Sequence, residues 1–198
     1  MTLCFATNNV HKLNEISKML NSGIKILSLE EIGCRAEIPE NFNTIEENSR
    51  AKAAYIYDLY RIDCFADDTG IEVHALGGEP GVKSARFAGP DQNSMNNINL
   101  LLEKLGSRTD RDARFRTVIT LILKGTIRQF EGAIEGSITF TPRGESGFGY
   151  DPVFLPSGQD LTFAEMDPEQ KNRISHRARA VEKLIGYLND LEANSRGT

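Results

Sequence analysis

Two adjacent carboxylates, Asp67 and Asp68, are the residues in this 198-residue chain best suited to chemistry. The apolar run Cys64-Phe65-Ala66 precedes them, and Thr69-Gly70 follows as a pair typical of a turn. Asp oxygens are hard ligands that suit Mg²⁺, and Mg²⁺ in turn suits phosphates. This stretch therefore predicts a buried strand that delivers an acidic metal site to a turn.

A strand-to-helix turn near the N-terminus is the second candidate. The apolar residues 3–7 predict a buried strand, and the spacing of Leu13, Ile16 and Leu20 predicts an amphipathic helix. Backbone N–H groups and the helix dipole would favour an anion at this turn, and Lys12 adds a positive charge. An Asn-capped helix with a surface lysine stays open as the alternative, since no Walker loop or dinucleotide fingerprint is present.

Local signals place the other candidate residues on elements. The capping-box pattern at 44–47 predicts a helix to about Tyr60 that carries Lys52, by itself an ordinary solvated lysine. A further helix is expected over residues 91–105. Lys124-Gly125-Thr126 predicts the turn of an antiparallel hairpin. The glycine-rich loop 144–152 contains two aromatic residues that could stack on a base.

The last third of the chain predicts two helices. Asp167-Pro168 followed by Gln170 is a helix start, and Lys171 lies in the short helix that follows. His176 and Arg177 would occupy the first turn of the final helix, where positive groups oppose the dipole. That conflict with local rules favours a functional role for both residues. The tail from 193 to 198 is expected to fray.

Composition limits the classes of protein. The formal charge is −5 without a basic tract, which argues against a nucleic-acid-binding protein but allows a nucleotide substrate. No segment is long and apolar enough for a membrane span or signal peptide, so no membrane partner is expected. The three cysteines have no zinc-ligand spacing and are expected to be reduced thiols of a cytoplasmic protein. Residues 1–198 are expected to form one domain without a linker.

Taken together, these segments resemble the inosine triphosphate pyrophosphatase family, the Ham1-like enzymes. The resemblance extends from Ala6 to Ala180 and departs at Asn8 and Ala178, where many members have Gly. Should that position be left-handed, Asn would tolerate it. The matching segments are residues 6–12, Glu47-Asn48 with Lys52-Ala53, residues 66–70, 75–89, 147–152 and 174–177.

The resemblance implies a fold and an activity. The fold would be α/β and two-lobed, with a long bent mixed β-sheet flanked by helices and the active site in the cleft between the lobes. The activity would be Mg²⁺-assisted hydrolysis of ITP, dITP and XTP to the monophosphate and pyrophosphate, which cleanses the nucleotide pool. The enzyme would be a homodimer in the cytoplasm.

The resemblance also assigns roles to individual residues. The triphosphate would be held by Thr7, Asn8, Asn9, Val10, His11, Lys12, Lys52 and Thr69. The base would be recognised by Phe148, Gly149, Tyr150, Asp151, Lys171, His176 and Arg177, with Phe148 and Tyr150 flanking its ring. Glu40, Asp67 and Asp68 would bind the metal ion, and Asp68 would act as general base.

Two other functions would use part of the same set of residues. A pyrophosphatase for modified pyrimidine nucleotides would keep the acidic residues but would not need residues 175–177 or the Phe148 loop. A non-catalytic nucleotide-binding or scaffold protein would not need the three carboxylates. Both alternatives fit the complete set of residues less well.

Overall fold

The structure is a computed structural model that describes residues 1–20, 23–36 and 38–196. The chain divides into two compact units, in agreement with the predicted two lobes. The first unit contains Met1–Asp68, Thr117–Gly132 and Arg177–Thr198, and the second contains Thr69–Arg116 and Ala133–His176.

One mixed sheet and five α-helices make up the regular structure, which confirms the predicted α/β class. The strands are β1 (Thr2–Phe5), β2 (Lys25–Leu27), β3 (Cys64–Val73), β4 (Pro80–Gly81), β5 (Asp112–Leu123), β6 (Thr126–Ile138) and β7 (Phe154–Pro156). The helices are α1 (Val10–Met19), α2 (Ile45–Tyr60), α3 (Ser94–Leu105), α4 (Pro168–Ile174) and α5 (His176–Arg196). The strand order is β2-β1-β3-β5-β6-β7, with β4 paired to β3. Strand β1 runs parallel to β2 and β3, whereas β4 and β7 are antiparallel to their partners.

Strand β3 corrects the prediction of a turn at Thr69-Gly70. The strand continues through both residues to Val73, so Asp67 and Asp68 lie in its interior. Its second half pairs with β4, with Ile71 opposite Gly81. Pairing with a later part of the chain thus outweighs the local turn preference, as tertiary context commonly does for strands.

The first unit buries two clusters, one on each face of its strands. Phe5 and Phe65 stack with their ring centroids 4.6 Å apart and pack with residues of α1 and α5. Cys4, Cys64 and Ala66 belong instead to a cluster with residues of α2. Successive side chains of a strand point to opposite faces, so in the first-unit part of β3, residues 64–68, odd-numbered residues face α1 and α5 and even-numbered residues face α2.

The core of the second unit is built from β3, α3, β5, β6 and β7. Ile98, Leu101 and Leu105 form the buried stripe of α3, as the periodicity predicts. The helix begins at Ser94 instead of the predicted residue 91, because the Asn93 side chain caps it by accepting a hydrogen bond from the Asn96 N–H.

Other local predictions hold with small corrections. Asp167 and Gln170 form the reciprocal capping box, and Thr44 caps α2. Lys124 and Gly125 both have positive φ in the two-residue turn between β5 and β6. The expected fraying is wrong as far as Arg196, where α5 ends; residues 197 and 198 lie outside the described part. None of the described helices has the length and apolar character needed to cross a membrane.

Candidate active site

Asp67 is the centre of a buried cluster of charges in the first unit. Its Oδ2 lies 2.9 Å from Lys12 Nζ and 3.6 Å from Arg177 Nε, and Arg177 also pairs with Glu15 of α1. Burial opposes ionisation of Asp67, but Lys12, Arg177 and Lys52 outweigh it and lower its pKa to about 2. Asp67 is therefore a permanent anion that neutralises buried cations.

Asp68 lies on the opposite face of β3 and contacts a different cation. Lys52 Nζ of α2 is 3.0 Å from Asp68 Oδ1 and 2.5 Å from Glu40 Oε1. Burial raises the pKa of Asp68, Glu40 reinforces that effect, and Lys52 and Lys12 oppose it. Burial alone would lower the pKa of Lys52, but Asp68 and Glu40 outweigh it and raise that pKa.

Of the three carboxylates predicted to bind metal, Asp67 is thus separated from the other two, Glu40 and Asp68. Asp67 faces Lys12 and Arg177, whereas Glu40 and Asp68 share Lys52. Among the described residues, no group of three or more His, Cys, Asp or Glu side chains is placed to hold a metal ion. Asp68 Oδ2 is buried and has no hydrogen-bond partner in the described part of the chain. An oxygen of this kind is suited to a hard cation.

The turn before α1 is an Asn-capped helix start. Asn9 Oδ1 accepts hydrogen bonds from the N–H groups of His11 and Lys12, and the Asn9 N–H donates to Thr7 Oγ1. An anion at this terminus would compete with the Asn9 side chain for those two N–H groups. Asn8 is exposed and is not among the described residues with positive φ, so it does not use the left-handed conformation that Asn would tolerate there.

The two candidate phosphate-binding lysines, Lys12 and Lys52, are not the surface residues that their sequence surroundings suggest. The Lys12 side chain is 14% exposed and that of Lys52 is 7% exposed. Helix α2 is fixed beside β3 by Ser49, whose Oγ donates to the carbonyl of Ala66 at 3.1 Å. Because Ser49 and Lys52 are one turn apart, this contact places Lys52 next to Asp68.

The second unit holds a separate group around Lys171. Lys171 Nζ lies 2.7 Å from Asp151 Oδ2, and the same oxygen accepts a hydrogen bond from the Phe148 N–H. The ammonium also lies 4.8 Å from the centroid of the Phe148 ring, a cation–π distance. Phe148 is partly exposed, while Asp151 and Lys171 are buried. Three residues predicted to bind the base, Phe148, Asp151 and Lys171, therefore contact one another in the structure.

Tyr150 corrects the prediction that two aromatic rings flank a base. Its ring is 4% exposed, belongs to the core of the second unit, and its hydroxyl donates to the carbonyl of Ser84 at 2.9 Å. Tyr150 therefore anchors the loop instead of offering a stacking surface. Gly149 beside it has a φ of 62° and leaves open space around its Cα.

Two further predicted residues of the second unit occupy different surroundings. His176 is buried and stacks on Phe115, with ring centroids 4.5 Å apart and planes 9° from parallel. Thr69 is partly exposed and directly follows Asp68 on β3. Arg177, the next residue after His176, belongs to the first unit and forms ion pairs there with Glu15 and Asp67.

Glu15 is the partner that sequence reasoning missed. It lies 162 positions before Arg177 in the chain, so nothing local connects the two residues. The available signal is its spacing of three residues from Lys12 on α1, which places both side chains on one face of the helix.

Comparison with known proteins assigns the chain to a family. The model of the Ham1 family matches residues 3–187. Relatives named dITP/XTP pyrophosphatase from Porphyromonas gingivalis and Flavobacterium johnsoniae are 53% and 52% identical, over 94% and 95% of this chain and 96% and 98% of their own. The solved Ham1 proteins of Staphylococcus aureus and Coxiella burnetii have TM-scores of 0.88 and 0.89 at 36% and 35% identity, each covering 96% of this chain and 99% of the other. This chain belongs to the Ham1 family.

Proposed function

We propose that this chain hydrolyses deaminated purine nucleoside triphosphates of the ITP, dITP and XTP class to the monophosphate and pyrophosphate. The observation that carries the proposal is the buried pairing of Lys12 with Asp67 and of Lys52 with Asp68. The two lysines provide positive charge for a polyphosphate. Beside them lies the carboxylate of Asp68, whose pKa is raised. The relatives named dITP/XTP pyrophosphatase add support, because they match this chain over nearly its whole length.

A divalent cation, taken here as Mg²⁺, fits the donors in the first unit. Asp68 has a buried oxygen without a hydrogen-bond partner among the described residues. Glu40 contacts Lys52, the same lysine that pairs with Asp68. Glu40 and Asp68 would hold the ion, whereas Asp67 neutralises Lys12 and Arg177. When bound, such an ion neutralises charge on phosphate oxygens. Mg²⁺ is commonly held by one or two carboxylates together with substrate phosphates, so two protein ligands suffice.

The chain's own groups supply the remaining chemistry. Asp68 orients a water for attack on the α-phosphorus and accepts its proton, a role that its raised pKa favours over that of an ordinary Asp. Lys12 and Lys52 donate to phosphate oxygens and stabilise the leaving pyrophosphate. The N-terminus of α1, residues 7–12, adds the positive end of its dipole.

Base selection is assigned to the second unit. Lys171 and His176 donate hydrogen bonds to the 6-oxo group of the purine, and Phe148 provides a ring face. Adenine presents a 6-amino donor at the same position, so donor would face donor. An unpaired buried donor costs about 1–3 kcal/mol, and two of them would give a preference of order 10²–10⁴ over ATP.

The assembly and compartment are also part of the proposal. The enzyme is a cytoplasmic homodimer by its family resemblance, and its three buried cysteines suit a reducing compartment. Sedimentation equilibrium tests the dimer directly.

Pyrophosphate release measured side by side on ITP, XTP, GTP, ATP and dUTP tests the activity. We expect fast Mg²⁺-dependent release from ITP and XTP and slow release from ATP. Asp68→Asn should lower kcat by at least about 10²-fold, the range typical of a lost general base, while ITP binding persists. Asp58→Asn, on the exposed surface of α2, is the matched control and should keep full activity. Equal turnover of ATP would overturn the base assignment, and an active Asp68→Asn variant would overturn the mechanism.

A further inference from the structure

Lys52 occupies the space between the two carboxylates assigned to the metal ion. Its Nζ lies 2.5 Å from Glu40 Oε1 and 3.0 Å from Asp68 Oδ1. The residue is 6% exposed, and Ser49 fixes α2 on β3 one turn earlier. The ammonium therefore lies between the two carboxylates that would hold the ion.

We propose that Lys52 is a resident counter-ion that blocks the divalent-cation site until nucleotide binds. This inference rests on the proposed function. While Lys52 bonds both carboxylates, it offsets one of their two negative charges and occupies lone pairs that a metal ion would use. A divalent ion entering at that point would face a buried ammonium at close range, which is unfavourable in a region poor in water.

The substrate provides the means to release the lysine. Triphosphate oxygens accept hydrogen bonds from an ammonium as carboxylates do, so Lys52 can exchange Glu40 and Asp68 for phosphate. Lysine suits such an exchange because its charge lies on a flexible four-carbon stem. Each ligand then strengthens the binding of the other, which is thermodynamic coupling between metal and nucleotide. Lys52 is in this respect a positioning residue that makes metal binding conditional on substrate.

Lys12 provides the matched control within the same unit. It is also a lysine with a largely covered side chain that pairs with an aspartate of β3, at 2.9 Å, but that aspartate is Asp67 on the other face. Removal of either lysine takes away one positive charge from the cluster. Only removal of Lys52 vacates the space between Glu40 and Asp68.

The first experiment measures Mn²⁺ binding to the nucleotide-free protein by electron paramagnetic resonance of the free ion. We expect weak binding by the wild type, at least roughly tenfold tighter binding by Lys52→Gln, and a change of less than about threefold in Lys12→Gln. Equal tightening in both variants would show only a general field effect and would overturn the proposal. Weaker or unchanged binding in Lys52→Gln would overturn it as well.

Two additions keep the test decisive. Circular dichroism checks that the variants fold. If Lys52→Gln does not fold, Lys52→Met, which keeps the unbranched stem, replaces it. An α,β-imido inosine triphosphate, which resists cleavage at the proposed bond, should tighten Mn²⁺ binding to the wild type at least about fivefold more than to the Lys52 variant. Equal tightening would contradict the exchange of partners. Because neither measurement uses turnover, an inactive enzyme would refute the proposed function without deciding this inference.

Discussion

Replacing Asp67 with Asn tests whether one buried carboxylate holds the cations of the first unit together. The Asp67 side chain is fully buried, and its Oδ2 lies 2.9 Å from Lys12 Nζ and 3.6 Å from Arg177 Nε. Asn keeps the shape of Asp but removes its charge. In the variant, two buried cations would therefore lose the anion that they share.

The expected loss of stability follows from the pKa and from the burial. A pKa of about 2 in place of 3.8 corresponds to roughly 2 kcal/mol of preference for the charged form in the folded protein. Removal of one partner of a buried ion pair typically costs about 3–5 kcal/mol. We expect Asp67→Asn to lower the free energy of unfolding by about 2–4 kcal/mol at pH 7. For a chain of this size that is a fall in Tm of about 5–15 °C.

Urea unfolding followed by circular dichroism from pH 2 to pH 7 measures this effect. Because the folded-state pKa of Asp67 lies below its unfolded value, its stabilisation is complete above the unfolded value and is lost as pH falls towards 2. The stability difference between wild type and variant should be constant from pH 5 to 7 and shrink between pH 4 and 2. Asp58→Asn, whose carboxylate is exposed and 4.0 Å from Arg61, should change stability far less. A loss no larger than that of Asp58→Asn, or a difference that persists unchanged at pH 2, would refute this account.

Three more substitutions, one of them a control, test the contacts around the site. Gly147→Ala would place a Cβ 2.2 Å from Asp151 Oδ2 at a φ of 78°, so KM for ITP should rise about tenfold. Gly149→Ala, with open space around its Cα, should raise KM much less, and equal effects of the two would contradict the explanation. Glu15→Gln removes the charge of one of the two carboxylates that pair with Arg177, the other being Asp67, and should lower kcat/KM about tenfold without a change in helix content. An unchanged kcat/KM would mean that Arg177 is positioned without Glu15.

The sequence predicted structure well where the determining contacts are local. The Asp167 capping box and the Lys124-Gly125 turn depend on residues no more than three positions apart, and both occur as expected. The prediction of a turn at Thr69-Gly70 was wrong because β4 pairs with the second half of β3. No local sequence pattern indicates that pairing.

In the candidate site, the sequence likewise indicated the residue types better than the surroundings of each residue. The positions of the buried lysines and carboxylates follow from resemblance, but their partners do not. Tyr150 illustrates this, because an aromatic residue in a glycine-rich loop can face a ligand or the core, and its hydroxyl bond to Ser84 decides for the core. Arg177 likewise contacts Glu15, which only the folded chain brings near.

A strand gives two adjacent aspartates different chemistry in a way that a turn would not. In an extended strand, consecutive side chains point to opposite faces, so Asp67 and Asp68 meet different helices and different cations. Asp67 has two cations within 3.6 Å and a pKa of about 2, whereas Asp68 shares its lysine with Glu40 and has a raised pKa. A turn that directed both carboxylates at the same cations would have given them similar electrostatic surroundings. Under the proposed function the error in predicting a turn matters, because the continuous strand separates the buried anion Asp67 from Asp68, the carboxylate proposed to accept a proton.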